Sequence, residues 1–414
     1  MLACAGMTGF GASDFHFAVR GDGAFLDCFA AALLAMTRGG AGGGCGVCLL
    51  MPDITEYMPR PVRGGAMGGD FVGVRGRSGG IQALRALAWF LVLFDHVTFF
   101  TCYAKGLNQA DYRPIDTGQI GVSIFFIISG YVMGGCMPQG RLFLWNRAAR
   151  IFPPFWIAVV LSHFIERQPA WHWNFVSLAL LPTTHVDNSY EIPFWTLCYE
   201  MVFYYIVYAL ILLKVSRKGL QFFCIFWLFA IVVFDIYRVN STAAAAMIGF
   251  IDPGEPGKFI LLSPLCEFFV VGFFVSISGH KFLDNVPAVY LILLSGALWC
   301  LKINDNVPSP AIGFFVLALS YVCLLVAFKR LQVPRFIIRL GDYSYGAYLV
   351  HYMLIIAVVS ALQPYAAHMG FAVLWMAILL PCAAGGILFG WFEHQLHTRF
   401  IKGIFSRRLI SRPQ

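Results

Sequence analysis

Arg85 and His96 lie eleven positions apart in the apolar run ALRALAWFLVLFDHVTFF. At about 100° and 1.5 Å per residue, eleven steps make roughly three turns plus 20°, so a helix here carries both residues on one face, about 16 Å apart. A guanidinium grips phosphate or carboxylate with a planar fork, and an imidazole titrating near pH 6.5 can take a proton from a hydroxyl. If the helix spans a bilayer with Arg85 at one interface, His96 lies near mid-membrane, where an ionisable group is costly and marks a functional site. Asp95 adjoins His96, but consecutive helical residues point about 100° apart, so it is not expected to orient the imidazole.

Four further stretches carry polar groups on apolar segments. RLFLWNRAARIFPPFW holds Arg141, Arg147 and Arg150, delocalised cations that either fix topology or bind phosphate bidentately. PFWTLCYEMVFYY carries Glu200; its carboxylate can orient His96, bind hydroxyls or pair with an arginine, and a depth shared with His96 is expected. Ser129 and Gly130 sit mid-segment in GVSIFFIISGYVM. Such a pair is a close-packing surface, and Ser129 as a covalent nucleophile needs an adjacent base. In LGDYSYGAYLVH, Tyr348 and His351 are three residues apart and share a helix face.

These residues need a membrane to position them. Hydrophobic residues make up 59% of the chain and charged ones 12%, against about 25% charged in a soluble domain. The formal charge of +8 is spread over the ends of apolar segments, which argues against a nucleic-acid partner. Ten segments are apolar enough to cross hydrocarbon of about 30 Å: 83–103, 119–137, 149–165, 195–214, 220–237, 259–278, 287–301, 309–328, 339–362 and 371–391. Residues 172–182 are too short to span and fit an interfacial piece. With both termini cytosolic, the inner loops and tail hold eighteen Lys and Arg and the outer loops six, the bias expected of that orientation.

The twelve cysteines stand mostly alone inside apolar segments, as small hydrophobes and not as a disulfide framework. Cys45 and Cys48 form a CxxC with no second ligand pair, so no metal site is expected. Residues 1–80 are Gly- and Ala-rich, read as a flexible or mis-started extension, and precede a membrane domain over 81–395 and a basic cytosolic tail over 396–414.

Taken in order, the five stretches resemble acyltransferase family 3, the membrane enzymes that O-acylate extracytoplasmic carbohydrates, and most closely its exopolysaccharide branch. Arg85 with His96 matches the family's arginine, ten residues, histidine pattern. Phe125, Phe126, Ser129 and Gly130 match its paired-phenylalanine then Ser-Gly signature. Arg147 and Arg150 match its basic loop and proline opening the third helix, Glu200 its Trp-Thr-Leu-x-x-Glu segment, and Ser344, Tyr345, Tyr348, Leu349 and His351 its late pattern. The resemblance implies a bacterial inner-membrane enzyme, all-α with about ten spans. It implies an acyl group, acetyl being the expectation, moved from acyl-coenzyme A to a hydroxyl of exopolysaccharide or lipopolysaccharide or of a lipid-linked sugar.

Under that reading Arg85, Arg147 and Arg150 bind the donor and His96 and Glu200 are catalytic. Phe126, Ser129, Tyr348 and His351 line the cavity, and no bound cofactor is needed. The composition alone also fits a flippase or transporter for a glycolipid or metabolite, and the resemblance also fits an acyltransferase for a small glycosylated metabolite.

Overall fold

The computed structural model describes residues 78–166, 175–182, 193–241, 260–279, 283, 285–303 and 310–401, and among the described residues there is no strand. Ten apolar helices run through them: α1 (Gly79–Lys105), α2 (Thr117–Cys136), α3 (Leu142–Glu166), α4 (Phe194–Leu212), α5 (Arg217–Ser241), α6 (Cys266–Ser278), α7 (Ala288–Ile303), α8 (Pro310–Phe328), α9 (Arg335–Leu362) and α10 (Phe371–Gln395). Eight are long and apolar enough to cross a membrane, and α6 and α7 are shorter. The chain is an all-α polytopic membrane protein. Most of the expected extension over residues 1–80, and the tail beyond residue 401, lie outside the described residues; Leu396–Ile401 continues α10 as a π-helical turn.

Two boundaries differ from the sequence expectation. The sixth segment, expected over 259–278, becomes helical only at Cys266, after a 3-10 turn at Ile260–Leu262. Pro264 explains this, because the residue before a proline is pushed out of the α region. Conversely, α3 begins at Leu142 instead of 149, so Arg147 and Arg150 sit on a helix and not in a loop. Phe143, fully buried, anchors this first turn edge-on against Tyr204, with ring centroids 6.2 Å apart.

Without water to drive apolar burial between spans, close packing of small residues holds membrane helices together. Gly130 faces Phe269 and Gly272 faces Ile127 across the α2–α6 contact; a Cβ on either would come within 2.0 Å and 2.3 Å of a backbone carbonyl oxygen. The Ser-Gly pair is thus, at Gly130, a packing surface. Gly121 lets α2 approach the Ala88 carbonyl of α1 in the same way, and Gly341 lets α9 approach that of Gln82. Together these bring α2 and α9 onto two faces of the helix that carries Arg85 and His96. The outward faces of α5 and α10 expose Phe222, Phe226, Phe229, Leu380 and Leu388, which suits contact with lipid chains.

Pro153 and Pro154 lie inside α3 and remove two backbone donors. Membrane helices tolerate this where neighbours engage the backbone. Here Tyr345 of α9 donates its hydroxyl to the Ile151 carbonyl at 3.0 Å, tying α3 to α9 just beside Arg150.

Candidate active site

Two polar clusters sit along α1. The first is built on His96, which is half-buried. Its Nδ1 lies 2.9 Å from the Val92 carbonyl one turn earlier. A carbonyl only accepts, so Nδ1 is the donor, and in the neutral ring the lone pair lies on Nε2, where a general base needs it. The ring meets His351 of α9 edge-on, with centroids 5.1 Å apart, and Tyr352 at 5.8 Å. His351 is 0% exposed; its Nδ1 lies 2.5 Å from the Tyr348 carbonyl and its Nε2 has no partner. The Tyr348 hydroxyl shares a 2.9 Å hydrogen bond with Thr196 of α4, and Phe125 packs on the Tyr348 ring at 5.6 Å.

The second cluster surrounds Arg85, eleven positions before His96 on the same helix. Its charged neighbours are Arg150 of α3, Glu200 of α4, Asp342 of α9 and Glu393 of α10. Neither Arg85 nor Arg150 has a hydrogen-bond partner among the described residues, so both forks can accept an anionic ligand. Arg147 differs: it donates to the Cys136 sulfur at 2.9 Å and stacks over Phe143 at 5.8 Å.

Glu200 belongs to this second cluster. Its carboxylate accepts from the Tyr204 hydroxyl one turn later, with Arg85 among its charged neighbours, and it makes no hydrogen bond to His96. The reach between clusters runs through Tyr348, which feels Glu200 electrostatically and touches His351 at 5.2 Å.

The remaining expected residues fall in different surroundings. Phe126 is 4% exposed and packs against Tyr199 and Phe203 in the aromatic core. Ser129 has a buried hydroxyl with no hydrogen-bond partner among the described residues, so none of them is in place as a base to activate it. Asp95 forms a salt bridge with Arg113, Nη2 to Oδ2 at 2.5 Å and Nε to Oδ1 at 3.1 Å, which agrees with its exclusion as partner of His96. Among the described residues no group of His, Cys, Asp and Glu is arranged to hold a metal.

Sequence reading passed over Asp342 and Glu393. Both are carboxylates inside apolar helices, and Glu393 is 2% exposed; the rule that an intramembrane ionisable residue marks function would have picked out both.

A helical bundle that sets an imidazole and a guanidinium on one membrane helix, with the Arg150 guanidinium of α3 near the second, has the parts of a group-transfer enzyme. Comparison with protein families agrees: the model described as the acyltransferase domain, acyltransferase family 3, matches residues 78–391. The chain belongs to this family and is a membrane acyltransferase of the kind that acts on carbohydrates. No curated protein and no solved structure matches it.

Proposed function

We propose that the protein transfers an acetyl group from acetyl-coenzyme A to a sugar hydroxyl of exopolysaccharide or lipopolysaccharide, or of a lipid-linked precursor, at the bacterial inner membrane. The observation that carries this reading is the tautomer of His96, fixed by the Val92 carbonyl with Nε2 free. With both termini cytosolic, the donor's phosphates meet Arg85 and Arg150, with Arg147 beside them, and the thioester reaches along α1 towards His96.

His96 Nε2 takes the proton of the acceptor hydroxyl as its oxygen attacks the thioester carbonyl. The carbon–sulfur bond then breaks and the imidazolium returns the proton to the leaving thiolate, giving the O-acyl sugar and free coenzyme A. The lack of any base at Ser129 supports direct transfer over an acyl-serine intermediate. Among the described residues, the arginine forks without hydrogen-bond partners support an anionic donor.

Membranes given acetyl-coenzyme A labelled in the acetyl group test this. The label is expected on the surface glycan in a form released by mild base, as an ester is. Label that crosses the membrane without joining the glycan would instead fit a carrier.

A further inference from the structure

The segment between α1 and α2 is tied down on both sides. Lys105 donates to the Ala366 and Met369 carbonyls at 3.0 and 2.7 Å, and Tyr112 stacks on Phe371 at 4.4 Å. Arg113 holds Asp95 and lies over Phe99 at 5.5 Å. Thr117 donates to the Leu91 carbonyl at 3.2 Å. Gly118 abuts Asp95 so closely that a Cβ there would stand 2.9 Å from Oδ2. The chain therefore enters α2 against α1 at the level of Asp95, so Asp116, two residues before Gly118, sits close enough to α1 to count His96 among its charged neighbours.

Asp116 caps α2: its Oδ1 accepts from the Gln119 N–H at 2.8 Å, and among the described residues its other oxygen makes no hydrogen bond. Its charged and titratable neighbours are Asp95 and His96 of α1, Arg113 of the connecting segment and Tyr321 of α8. Asp95 has both oxygens engaged by Arg113, so Asp116 is the carboxylate near His96 with an acceptor position to spare. From α9, His351 and Tyr352 face the same imidazole, and the Nε2 of His351, fully buried, lacks a partner.

We propose that Asp116 is a positioning carboxylate on the acceptor side of His96. Its free oxygen accepts a hydrogen bond from a second hydroxyl of the sugar, and its charge supports the imidazole as it gains a proton. This rests on the reading of His96 as the base. The reacting O–H breaks and an N–H forms on His96 Nε2; Asp116 takes no proton.

The test uses Asp116→Asn, which keeps the cap because Asn and Asp are equally good N-cap residues. With the full chain in lipid nanodiscs and labelled histidine, the His96 resonance is identified by its loss in His96→Gln. Its titration midpoint is expected to fall by about 0.5 to 1 pH unit in Asp116→Asn, as removal of a nearby opposite charge requires. In cells expressing the variant, mass spectrometry of surface glycans is expected to find O-acylation reduced by at least about tenfold. An unmoved midpoint overturns the proposal, as does a moved midpoint with full acylation. If the Asn variant fails to insert, Asp116→Ser, which retains a capping oxygen, is read by the same two measurements. Undiminished acylation in His96→Ala is a separate outcome, which removes the base reading itself.

Discussion

The imidazoles of His96 and His351 meet edge-on across the α1–α9 contact, 5.1 Å between centroids at 82°, and each anchors its Nδ1 on a carbonyl of its own helix. In the neutral form both rings therefore carry their lone pair on Nε2, and burial distinguishes them. His351 is sealed in the bundle while His96 is half-exposed, so in the proposed reaction the acceptor meets His96 and His351 packs against that ring.

His351→Asn accordingly lowers turnover by about tenfold, the lower end of what losing a positioned acid–base group costs, without abolishing it. Transfer of labelled acetyl to glycan checks this. A loss as complete as that of His96→Ala would make His351 an equal partner in the chemistry.

Glu200→Gln keeps the shape of the side chain and removes the charge that lies near Arg85. Acylation is expected to fall while the protein level holds, because one of the carboxylates around Arg85 loses its charge and the guanidinium is less well held. Quantitative glycan mass spectrometry against an immunoblot of the membranes decides it, and unchanged acylation would return Glu200 to packing.

Arg85→Lys keeps a positive charge but loses the planar fork. The KM for acetyl-coenzyme A is expected to rise about tenfold with kcat much less affected, so more donor restores the rate. Initial rates over a range of donor concentrations separate the two constants. A fall in kcat alone would move Arg85 out of donor binding.

Burial, reinforced by the charge of Asp95, holds the Asp116 carboxyl above its ordinary value, against the Gln119 hydrogen bond and Arg113. A carboxyl whose folded value is raised costs stability once it ionises, so the penalty is absent below the ordinary aspartate value near 4 and complete above the raised one. Asp116→Asn removes it. The variant is expected to melt at or above the wild-type temperature at pH 7 and to lose that advantage as the pH falls towards 4. A variant less stable at pH 7 would mean that the carboxylate contributes a favourable interaction there.

Much of this arrangement is legible in the residues. The spacing of Arg85 and His96 places them on one face of α1, and apolar length alone marks all ten helices. What resists reading is set by packing between distant segments. The i, i+4 spacing pairs Glu200 with Tyr204, but its nearness to Arg85 is set by how α4 packs on α1, which no spacing within α4 reveals. Arg147 joins Arg150 on the helix because Phe143, six residues before the expected start, is buried. Asp116 escapes a reading by periodicity altogether: it lies between helices, and only the Arg113–Asp95 bridge and the close pass of Gly118 bring it to the site.

The central claim is that His96 is the base of the chemical step, separate from donor binding. The direct measurement is His96→Ala in membranes, with transfer of labelled acetyl to glycan and binding of acetyl-coenzyme A followed on the same preparation. Transfer is expected to fall by about 10²- to 10⁴-fold at every donor concentration while donor binding stays near that of the wild type. Near-normal turnover in His96→Ala would contradict the account and leave the histidine a structural residue of an acyltransferase that works by other groups.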